Sequence, residues 1–538
     1  MKIPVALATL MIGLPLAAQS RVSPADQLLD RIVEREATLI AIFQMHTPVV
    51  ETYIQETPAA GGDAAPTKDH YFLGQIKMSS SMEYVPLIER TDPAAKGNNW
   101  LTLHANPRNQ PMKFLAGGFA QMAFPDLHNF NRQTYSFEFV RREFLGEVRC
   151  LVFDVAPRHN ADVGRFIGRI WVEDQGNSIV RFNGTYLAAT PKHGPAVRYF
   201  HFDSWRVNVA SDQWVPAQIY VEEEGSTVNG RLSVPRFKAQ TRMWAYTAAA
   251  ARRMDELTTI LIEPGREVQD QASANEVSPL ESQRLWERQA EENVMARLTK
   301  AGLLAQSGPV DQMLDAILNN LIFSANPGVD VRCRVLLTTP LETFSIGRTI
   351  VISRGLLDVL PDETSLALVL ANELSHIALG HRTPTQFAFR TQTMFSDADL
   401  LQRIHFQHTP AELEAAGKKT VEIMQASPYR KTGNARLFLK TLAGHSSTLP
   451  RLLVPNIGNQ VVHAETLARL SELTATEPEI EDAQRQPIAA LPLGSRIKLD
   501  PWTDEITLIK TRALEILSPR EVLPFEITPF MLYLTRVP

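Results

Sequence analysis

One apolar segment, residues 364–381, constrains the fold of this chain more than any other part of the sequence. It reads TSLALVLANELSHIALGH, and ten of its eighteen residues are Leu, Val, Ile or Ala. Such a composition predicts a helix that is buried on nearly all sides. Glu373 and His376 lie inside this apolar helix. Because a carboxylate is rarely buried without a partner, we expect the fold to supply a polar partner for Glu373.

The polar residues of this helix differ by one position from the zinc-binding motif H-E-x-x-H. In that motif two histidines at i and i+4 share a helix face, and the Glu beside the first acts as general base. Here Asn372 stands where the first His is expected, whereas Glu373 and His376 are in place. The pattern E-x-x-H alone is weak, because a surface carboxylate and a core histidine also produce it.

The flanking sequence makes the pattern more specific. The run LVLANELSHIALGH, preceded by GRTIVISRGLLDVLPDETS, resembles the gluzincin metallopeptidases of the CAAX prenyl protease and HtpX type. That family includes the periplasmic barrel-assembly-enhancing protease. The resemblance covers about residues 290–455 and implies a mostly helical zincin-like domain with a small sheet. It also implies a zinc metalloendopeptidase with Glu373 as the catalytic base.

Other functional residues of the family are matched in part. Glu412 corresponds to the third zinc ligand, although it also fits a capping box. His445 and Arg451 keep the spacing of a family pair near the metal, where Arg451 would stabilise the tetrahedral intermediate. The resemblance places Phe344 and Ser345 on an edge strand that binds extended substrate.

Asn372 leaves this zinc site short of one nitrogen ligand, since zinc favours imidazole, thiolate and carboxylate over an amide oxygen. His381 lies five residues after His376, so on a continuous helix it would point about 140° away. Asn372 is expected to be a weak oxygen contact at most. The zinc ligands that we expect from the sequence are His376, Glu412 and His445.

The N-terminal half shows a different pattern. Residues 70–244 form a succession of short alternating segments separated by turn signals, which predicts one curved antiparallel sheet. A helix at residues 24–43 precedes it, with Ser23 as the N-cap and Pro24 at the first position. The phrase GRIWVEDQGNSIVRF resembles the periplasmic lipoprotein-carrier fold, in which a half-barrel sheet holds acyl chains. A generic β-sandwich used as an interaction module is the alternative.

The fold class expected from these patterns is α+β and multidomain. The segments MKFLAGGFAQMAF, ITLIK and FMLYL are among the strand candidates, and residues 461–476 are predicted to be helical. The expected divisions are a signal peptide at 1–20, a β-rich lipoprotein-carrier-like domain at 21–261, a polar linker at 262–279, a metallopeptidase-like domain at 280–455, and a C-terminal β-leaning extension at 456–538.

Charge and cysteine content exclude several functions. The formal net charge is −5 and 21% of residues are charged, so the chain lacks the basic surface that nucleic-acid binding needs. Cys150 and Cys333 are the only cysteines, and they are expected to be two separate buried thiols. A zinc site built from several cysteines is therefore excluded.

Three functions from different classes remain open at this level. The first is a zinc metalloendopeptidase that acts on exported or outer-membrane proteins. The second is a non-catalytic pseudopeptidase that binds unfolded or extended polypeptide clients, including outer-membrane or lipoprotein components. The third is a lipoprotein-binding or lipid-binding scaffold in envelope quality control.

The N terminus gives the first testable prediction. Lys2 is followed by an apolar run at residues 3–18 and by the small residues of Ala18-Gln19-Ser20, as in a cleaved signal peptide. No later stretch is long enough and free enough of charge to span a membrane. We expect a periplasmic or secreted protein, and sequencing of its mature N terminus should begin near residue 21. Recovery of intact Met1 from the membrane fraction would contradict this prediction.

Overall fold

The structure is a computed structural model. It describes residues 23–58, 66–79, 81–88, 113–158, 164–187, 199–228, 231–246, 279–325, 330–381, 401, 405–430, 433–454, 457–461, 493–509 and 525–537. The predicted signal peptide, most of the predicted linker and all but the first residue of the predicted helix at 461–476 lie outside these residues. The five divisions expected from the sequence therefore stay a prediction.

An N-terminal helix begins the described part of the chain. Helix α1, Pro24–Met45, extends two residues beyond the predicted end. The Ser23 hydroxyl accepts a hydrogen bond from the backbone N–H of Asp26 at 3.0 Å, and Pro24 occupies the first turn, where no N–H is needed. Ile32, Leu39 and Phe43 form the buried side of the helix.

The N-terminal half contains a ten-stranded antiparallel sheet, which confirms the predicted curved, half-barrel-like architecture. Its strands lie in the order β3-β2-β1-β12-β9-β8-β7-β6-β5-β4. They are β1 (Val49–Thr57), β2 (Lys68–Met78), β3 (Met82–Ile88), β4 (Tyr135–Leu145), β5 (Val148–Pro157), β6 (Phe166–Glu173), β7 (Ile179–Tyr186), β8 (Phe202–Ala210), β9 (Gln213–Glu223) and β12 (Arg236–Trp244). A short hairpin of β10 (Ser226–Val228) and β11 (Arg231–Val234) lies between β9 and β12.

One predicted strand is wrong. The segment MKFLAGGFAQMAF contains helix α2, Ala116–Gln121, where a strand was expected. The paired glycines Gly117 and Gly118 weaken any strand, and Phe119 and Ala120 are buried next to each other, which a half-buried strand with alternating sides does not allow. Helices α1 and α2 contribute to the apolar cluster on one face of the large sheet.

The C-terminal half is mostly helical, as predicted, with two small sheets. Its helices are α3 (Pro279–Lys300), α4 (Pro309–Ala325), α5 (Arg354–Val359), α6 (Glu363–Ala378), α7 (Pro410–Ala426), α8 (Gly433–His445) and α9 (Pro450–Leu453). Its strands are β13 (Arg332–Leu336), β14 (Glu342–Ile346), β15 (Thr349–Ser353), β16 (Asn459–Gln460), β17 (Ile497–Leu499) and β18 (Ile506–Leu508). The order β13-β15-β14-β16 forms one sheet and β17-β18 the other.

The segment FMLYL, residues 530–534, is not a strand, although its alternation suggested one. It lies on the face of the large sheet instead, where Leu534 is buried in a cluster with Trp171, Trp205 and Trp214. The face of a sheet offers side chains rather than a row of backbone partners. The alternating apolar residues of this segment therefore pack against side chains, and the segment does not pair with the sheet as a strand. Strand β18 confirms part of the other candidate, ITLIK.

The cysteines and the helices of the described residues bear on two further expectations. Cys150 and Cys333 are both buried and unpaired, which confirms the two separate thiols. No helix of the described part has the length and apolar character needed to cross a membrane.

The two halves share one hydrophobic core. Val49, Tyr53 and Trp244 of the large sheet belong to the same buried cluster as the residues of α4 and α6. The indole N–H of Trp244 donates to the carbonyl of Gly302 at 2.7 Å. The second face of the large sheet therefore supports the helical half directly.

A buried carboxylate connects the halves at this interface. Glu51 of β1 accepts hydrogen bonds from the backbone N–H and the hydroxyl of Thr339, at 2.6 and 2.7 Å. It also accepts one from Tyr71 at 2.9 Å and one from Arg354 at 3.1 Å. The side chains of Glu51 and Arg354 are 1% and 2% exposed, so each charge depends on the other.

Glu51→Ala should therefore destabilise the whole chain. Removing Glu51 breaks its buried ion pair with Arg354 and leaves Asp358 as a charged neighbour of that guanidinium; breaking a buried pair typically costs about 3–5 kcal/mol. We expect a loss of this size in the free energy of unfolding measured with urea. Glu422→Ala breaks an exposed pair with Lys419 and should cost less than about 1 kcal/mol. Equal losses for the two variants would contradict this account of the interface.

Candidate functional site

Helix α6 holds the motif residues, and its local sequence explains its start. The carboxylate of Asp362 accepts a hydrogen bond from the backbone N–H of Ser365 at 2.8 Å, which caps the helix. The side chains of Glu373 and His376 are completely buried, as the apolar sequence predicted. Asn372, beside them, is half-buried.

One oxygen of the buried Glu373 carboxylate has polar partners. One carboxylate oxygen, Oε1, accepts a hydrogen bond from the Thr343 hydroxyl at 2.8 Å and one from the Asn459 amide at 3.4 Å. Burial raises the pKa of Glu373 to about 7, although hydrogen bonds from Thr343, Asn459 and Ser345 oppose this effect. A carboxyl group with such a pKa exchanges a proton near neutral pH, as a general base must.

The edge of β14 is occupied by another part of the same chain. Strand β16 pairs antiparallel with β14, so that Thr343 lies opposite Asn459. The carboxylate of Glu342 accepts hydrogen bonds from the backbone N–H groups of Ile457 and Gly458, at 3.0 Å each. Residues 457–461, which we name the edge segment, thus lie where the family resemblance implies an extended substrate.

The two residues predicted to bind substrate are both buried. Phe344 has no exposed surface, and its ring stacks on that of Phe406 with centroids 4.7 Å apart. Ser345 is 5% exposed. Their side chains therefore face the interior of the domain, and only the backbone of β14 is placed to pair with an extended chain.

A group of three histidines lies at the end of α6. Their ligand atoms, one per residue, all lie within 4.8 Å of one another. The Nδ1 atoms of His376 and His381 are 2.8 Å apart, and the ring of His376 stacks on that of His408 with centroids 3.7 Å apart. We name His376, His381 and His408 the histidine cluster.

The position of His381 corrects the expectation that it points away from His376. Helix α6 ends before Gly380, whose φ of +70° reverses the chain. The backbone N–H of His381 bonds to the carbonyl of His376, and that of Gly380 to the carbonyl of Ile377, at 3.0 Å each. This is a Schellman motif, and it brings the second residue after the cap against the last turn. The geometry of a continuous helix does not apply past Gly380.

His408 reaches the cluster from the residue before the N-cap of α7. Its side chain is 5% exposed, and its backbone N–H donates to the side-chain oxygen of Asn459 at 3.1 Å. Burial lowers the pKa of His408, and the nearby His381 lowers it further, whereas Glu412 opposes both effects. Asn459 therefore joins His408 to Glu373 through one amide group.

Glu412 lies beside the cluster but serves the helix cap. Its Oε2 atom accepts hydrogen bonds from the backbone N–H and the hydroxyl of Thr409, at 2.8 Å each, which completes the capping box. These two bonds lower its pKa. The same oxygen lies 3.8 Å from Nδ1 of His408.

His445 and Arg451 belong to other contacts. Nδ1 of His445 lies 2.9 Å from the carbonyl of Thr441 in its own helix, and its ring faces Phe525. The backbone N–H of Arg451 donates to the Asp69 carboxylate of β2 at 3.0 Å. The structure brings neither residue into the histidine cluster of the described chain.

The ligand set expected from the sequence is therefore not assembled in the structure. Of its three members, His376 lies in the histidine cluster, Glu412 is bound in a cap beside it, and His445 lies with Thr441 and Phe525. The sequence reasoning missed His408 and Asn459 altogether. Gly380 is the sequence signal that could have located His381. Glycine commonly follows the last residue of a helix and reverses the chain there, so His381 need not continue the helix.

Comparisons with known proteins agree with the metallopeptidase-like character of this region. Residues 334–438 match the family model of Peptidase family M48. This matched segment lies within residues 290–455, the range expected from the sequence. This match confirms the resemblance that the motif helix indicated. A search of curated proteins gave no match.

Two solved structures are similar to part of the chain. The first is a putative outer membrane lipoprotein-sorting protein domain from Vibrio parahaemolyticus, with 10% identity and a TM-score of 0.23. The alignment covers 41% of this chain and 91% of that one. The second is a LolA superfamily protein from Nitrosomonas europaea, with 11% identity, a TM-score of 0.20, and coverage of 40% and 91%.

The pKa of Glu373 predicts how stability depends on pH. Its folded-state pKa of about 7 lies above the ordinary value of 4.5, so the folded protein holds a proton that the unfolded chain has lost. The resulting stability is present below about pH 4.5 and is lost as pH rises to about 7, a loss of about 3 kcal/mol. Urea unfolding in the presence of a chelator should show this loss in the parent protein relative to Glu373→Gln. A difference that stays constant from pH 4.5 to 8 would contradict it.

Proposed function

We propose that the metallopeptidase-like region binds extended polypeptide along β14, in a protein of the periplasm or cell exterior. The observation that carries this proposal is the edge segment, an extended stretch of the chain's own sequence that pairs with β14 beside Glu373. A strand edge that accepts one extended segment offers the same backbone groups to another. Unfolded or extended polypeptides, including outer-membrane or lipoprotein components, are the clients that fit this chemistry.

Binding without cleavage is the activity that the site supports best in this arrangement. Glu373 is fully buried, and its Oε1 oxygen accepts hydrogen bonds from Thr343 and Asn459, so in this arrangement the carboxylate presents no exposed surface to a substrate or an attacking water. Asn372 stands at the first zinc position, and Glu412 is bound in its cap. A family zinc site would supply a polarised water for hydrolysis, and these residues do not form one. The domain then works as a pseudopeptidase.

A zinc metalloendopeptidase is the second candidate, and one observation favours it. The pKa of Glu373, raised to about 7 by burial, suits a general base once the carboxylate becomes accessible. Release of the edge segment would remove Asn459 from Glu373 and uncover β14 in one step. Cleavage that appears only after such a release would identify this function.

A lipoprotein-binding or lipid-binding role for the large sheet has less support. The apolar face that carries α1 and α2 is filled by side chains of the chain itself, including Phe43, Phe124 and Phe166. An acyl chain would have to displace these helices before it could bind there. The large sheet is better suited to supporting the helical half, with which it shares a core.

Gly458→Ala separates these functions, because it acts on the edge segment alone. A Cβ atom at Gly458 would lie 2.6 Å from the carbonyl oxygen of Thr343 and 2.6 Å from the ring of Phe344. The variant should therefore displace the edge segment and bind fluorescein-labelled casein at least about tenfold more tightly, because more of the protein becomes competent for binding. Fluorescence anisotropy measures this change. Gly444→Ala is the matched control, since its Cβ would meet nothing within 4 Å.

The same samples report hydrolysis through the release of acid-soluble fluorescence. Tighter binding without release supports the pseudopeptidase. Release by Gly458→Ala that disappears in Gly458→Ala combined with Glu373→Gln supports the metalloendopeptidase instead. Casein binding that is identical in Gly458→Ala, Gly444→Ala and the parent protein would contradict the proposal that β14 receives polypeptide.

A further inference from the structure

The histidine cluster has the composition and burial of a metal site, and it differs from the set that the family resemblance implies. Only His376 belongs to both. His381 comes from the chain reversal after α6, and His408 comes from the residue before α7. The end of α6 and the approach to α7 thus converge on one point, where the three ligand atoms lie within 4.8 Å of one another.

A second observation concerns His408 itself. Its Nε2 atom is buried and has no hydrogen-bond partner among the described residues. Buried polar atoms are nearly always satisfied, and an exception calls for an explanation such as an ion. A ligand at Nε2 would leave Nδ1 to face the carboxylate of Glu412, 3.8 Å away. Histidines that bind metals commonly direct their other ring nitrogen to a carboxylate in this manner.

We propose that His376, His381 and Nε2 of His408 bind one zinc ion, with Glu412 orienting His408 from the capping box. Three imidazoles suit zinc and its transition-metal neighbours, whereas magnesium and calcium require oxygen ligands. Three protein ligands leave a fourth coordination position for water or another donor. Glu373 stays fully buried and bonded to Thr343 and Asn459, so zinc at this site does not by itself supply hydrolysis. This site does not depend on the proposed polypeptide binding, because the hydrogen bond from the edge segment to His408 uses the backbone N–H of that residue and not its imidazole ring.

The geometry requires two adjustments. The rings of His376 and His408 stack with centroids 3.7 Å apart and an angle of 8° between their planes, so one ring must rotate before both can direct a nitrogen at the same ion. Zinc–nitrogen bonds of about 2.0–2.1 Å place two tetrahedral ligands about 3.3 Å apart. The Nδ1 atoms of His376 and His381 are 2.8 Å apart, so this pair must open by about half an ångström. His381 is half-buried and lies beyond the last helical residue, where a shift of this size does not disturb the helix.

Metal titration of the full chain tests the site without relying on activity. Protein stripped with a chelator is titrated with zinc by calorimetry, and the bound metal is counted by mass spectrometry. A parallel titration with cobalt gives a visible absorption that reports tetrahedral coordination. The parent protein should bind one zinc ion per chain and should show no binding of magnesium in the same titration.

Four variants identify the ligands. His408→Gln and His381→Gln should each weaken zinc binding at least about a hundredfold and abolish the cobalt absorption. Glu412→Gln retains the capping box, which accepts Gln as well as Glu, and should weaken binding about tenfold to a hundredfold. His405→Gln is the matched control, because His405 is exposed, lies three residues before His408 and is outside the cluster.

The outcomes are distinct. Loss of zinc in His408→Gln and His381→Gln, with normal thermal unfolding and normal binding by His405→Gln, supports the proposed site. His381 is partly exposed, so its variant remains informative if substitution at His408 disturbs folding. Parent protein that binds no zinc at micromolar concentration would overturn the proposal. So would unchanged binding by both cluster variants, or loss of zinc in His445→Gln instead.

Discussion

The fully buried carboxylate of Glu373 imposes the arrangement of everything around it. A carboxyl group inside an apolar helix needs donors within hydrogen-bond distance, and the fold supplies them from two strands. Thr343 donates from β14 and Asn459 donates from the edge segment. Asn459 also accepts a hydrogen bond from the backbone N–H of His408. The same amide group therefore holds the residue that precedes the N-cap of α7. Helix α6, the small sheet and the histidine cluster are therefore parts of one polar network in an apolar core.

The large sheet extends this network rather than forming a detached module. Glu51 of β1 holds Thr339 and Arg354 beside the small sheet, and Asp69 of β2 accepts the first backbone N–H groups of α9. Burial raises the pKa of Asp69, and the backbone donors of Arg451 and Leu452 oppose it. Each contact places a carboxylate where unsatisfied donors would otherwise be buried. Consequently, the large sheet positions Thr339 and Arg354 beside the small sheet, and it also positions the start of α9.

Sequence patterns predicted those features that depend on local periodicity and composition. The apolar run of α6, the cap at Ser23 and most strands of the large sheet follow from spacing alone. The apolar burial of Glu373 was sufficient to predict that it has a partner, although not which residue. Segments 112–124 and 530–534 were misassigned because alternation also arises in a short helix and in a chain that packs on a sheet face.

The candidate site is formed by contacts that the spacing of residues along the sequence does not predict. His381 reaches His376 only because Gly380 reverses the chain, and His408 approaches from 32 residues further along. Strand β16 has two residues, too few to carry any periodic pattern. The family resemblance correctly indicated the metallopeptidase-like region, and residues 334–438 match that family. It could not indicate that the chain's own edge segment covers β14.

The C-terminal stretch, residues 525–537, has a kinetic consequence. Gln55 of β1 bonds to the backbone of Phe525 and Ile527, 470 and 472 residues away, and Glu147 bonds to Leu534. Contacts of such sequence separation form slowly, because a very long loop must close before they contribute any stability. The apolar cluster of Trp171, Trp205 and Trp214 on the large sheet therefore stays uncovered until this stretch arrives. During that interval the nascent molecule resembles the unfolded polypeptides that it is proposed to bind, and it needs protection from aggregation in its own right.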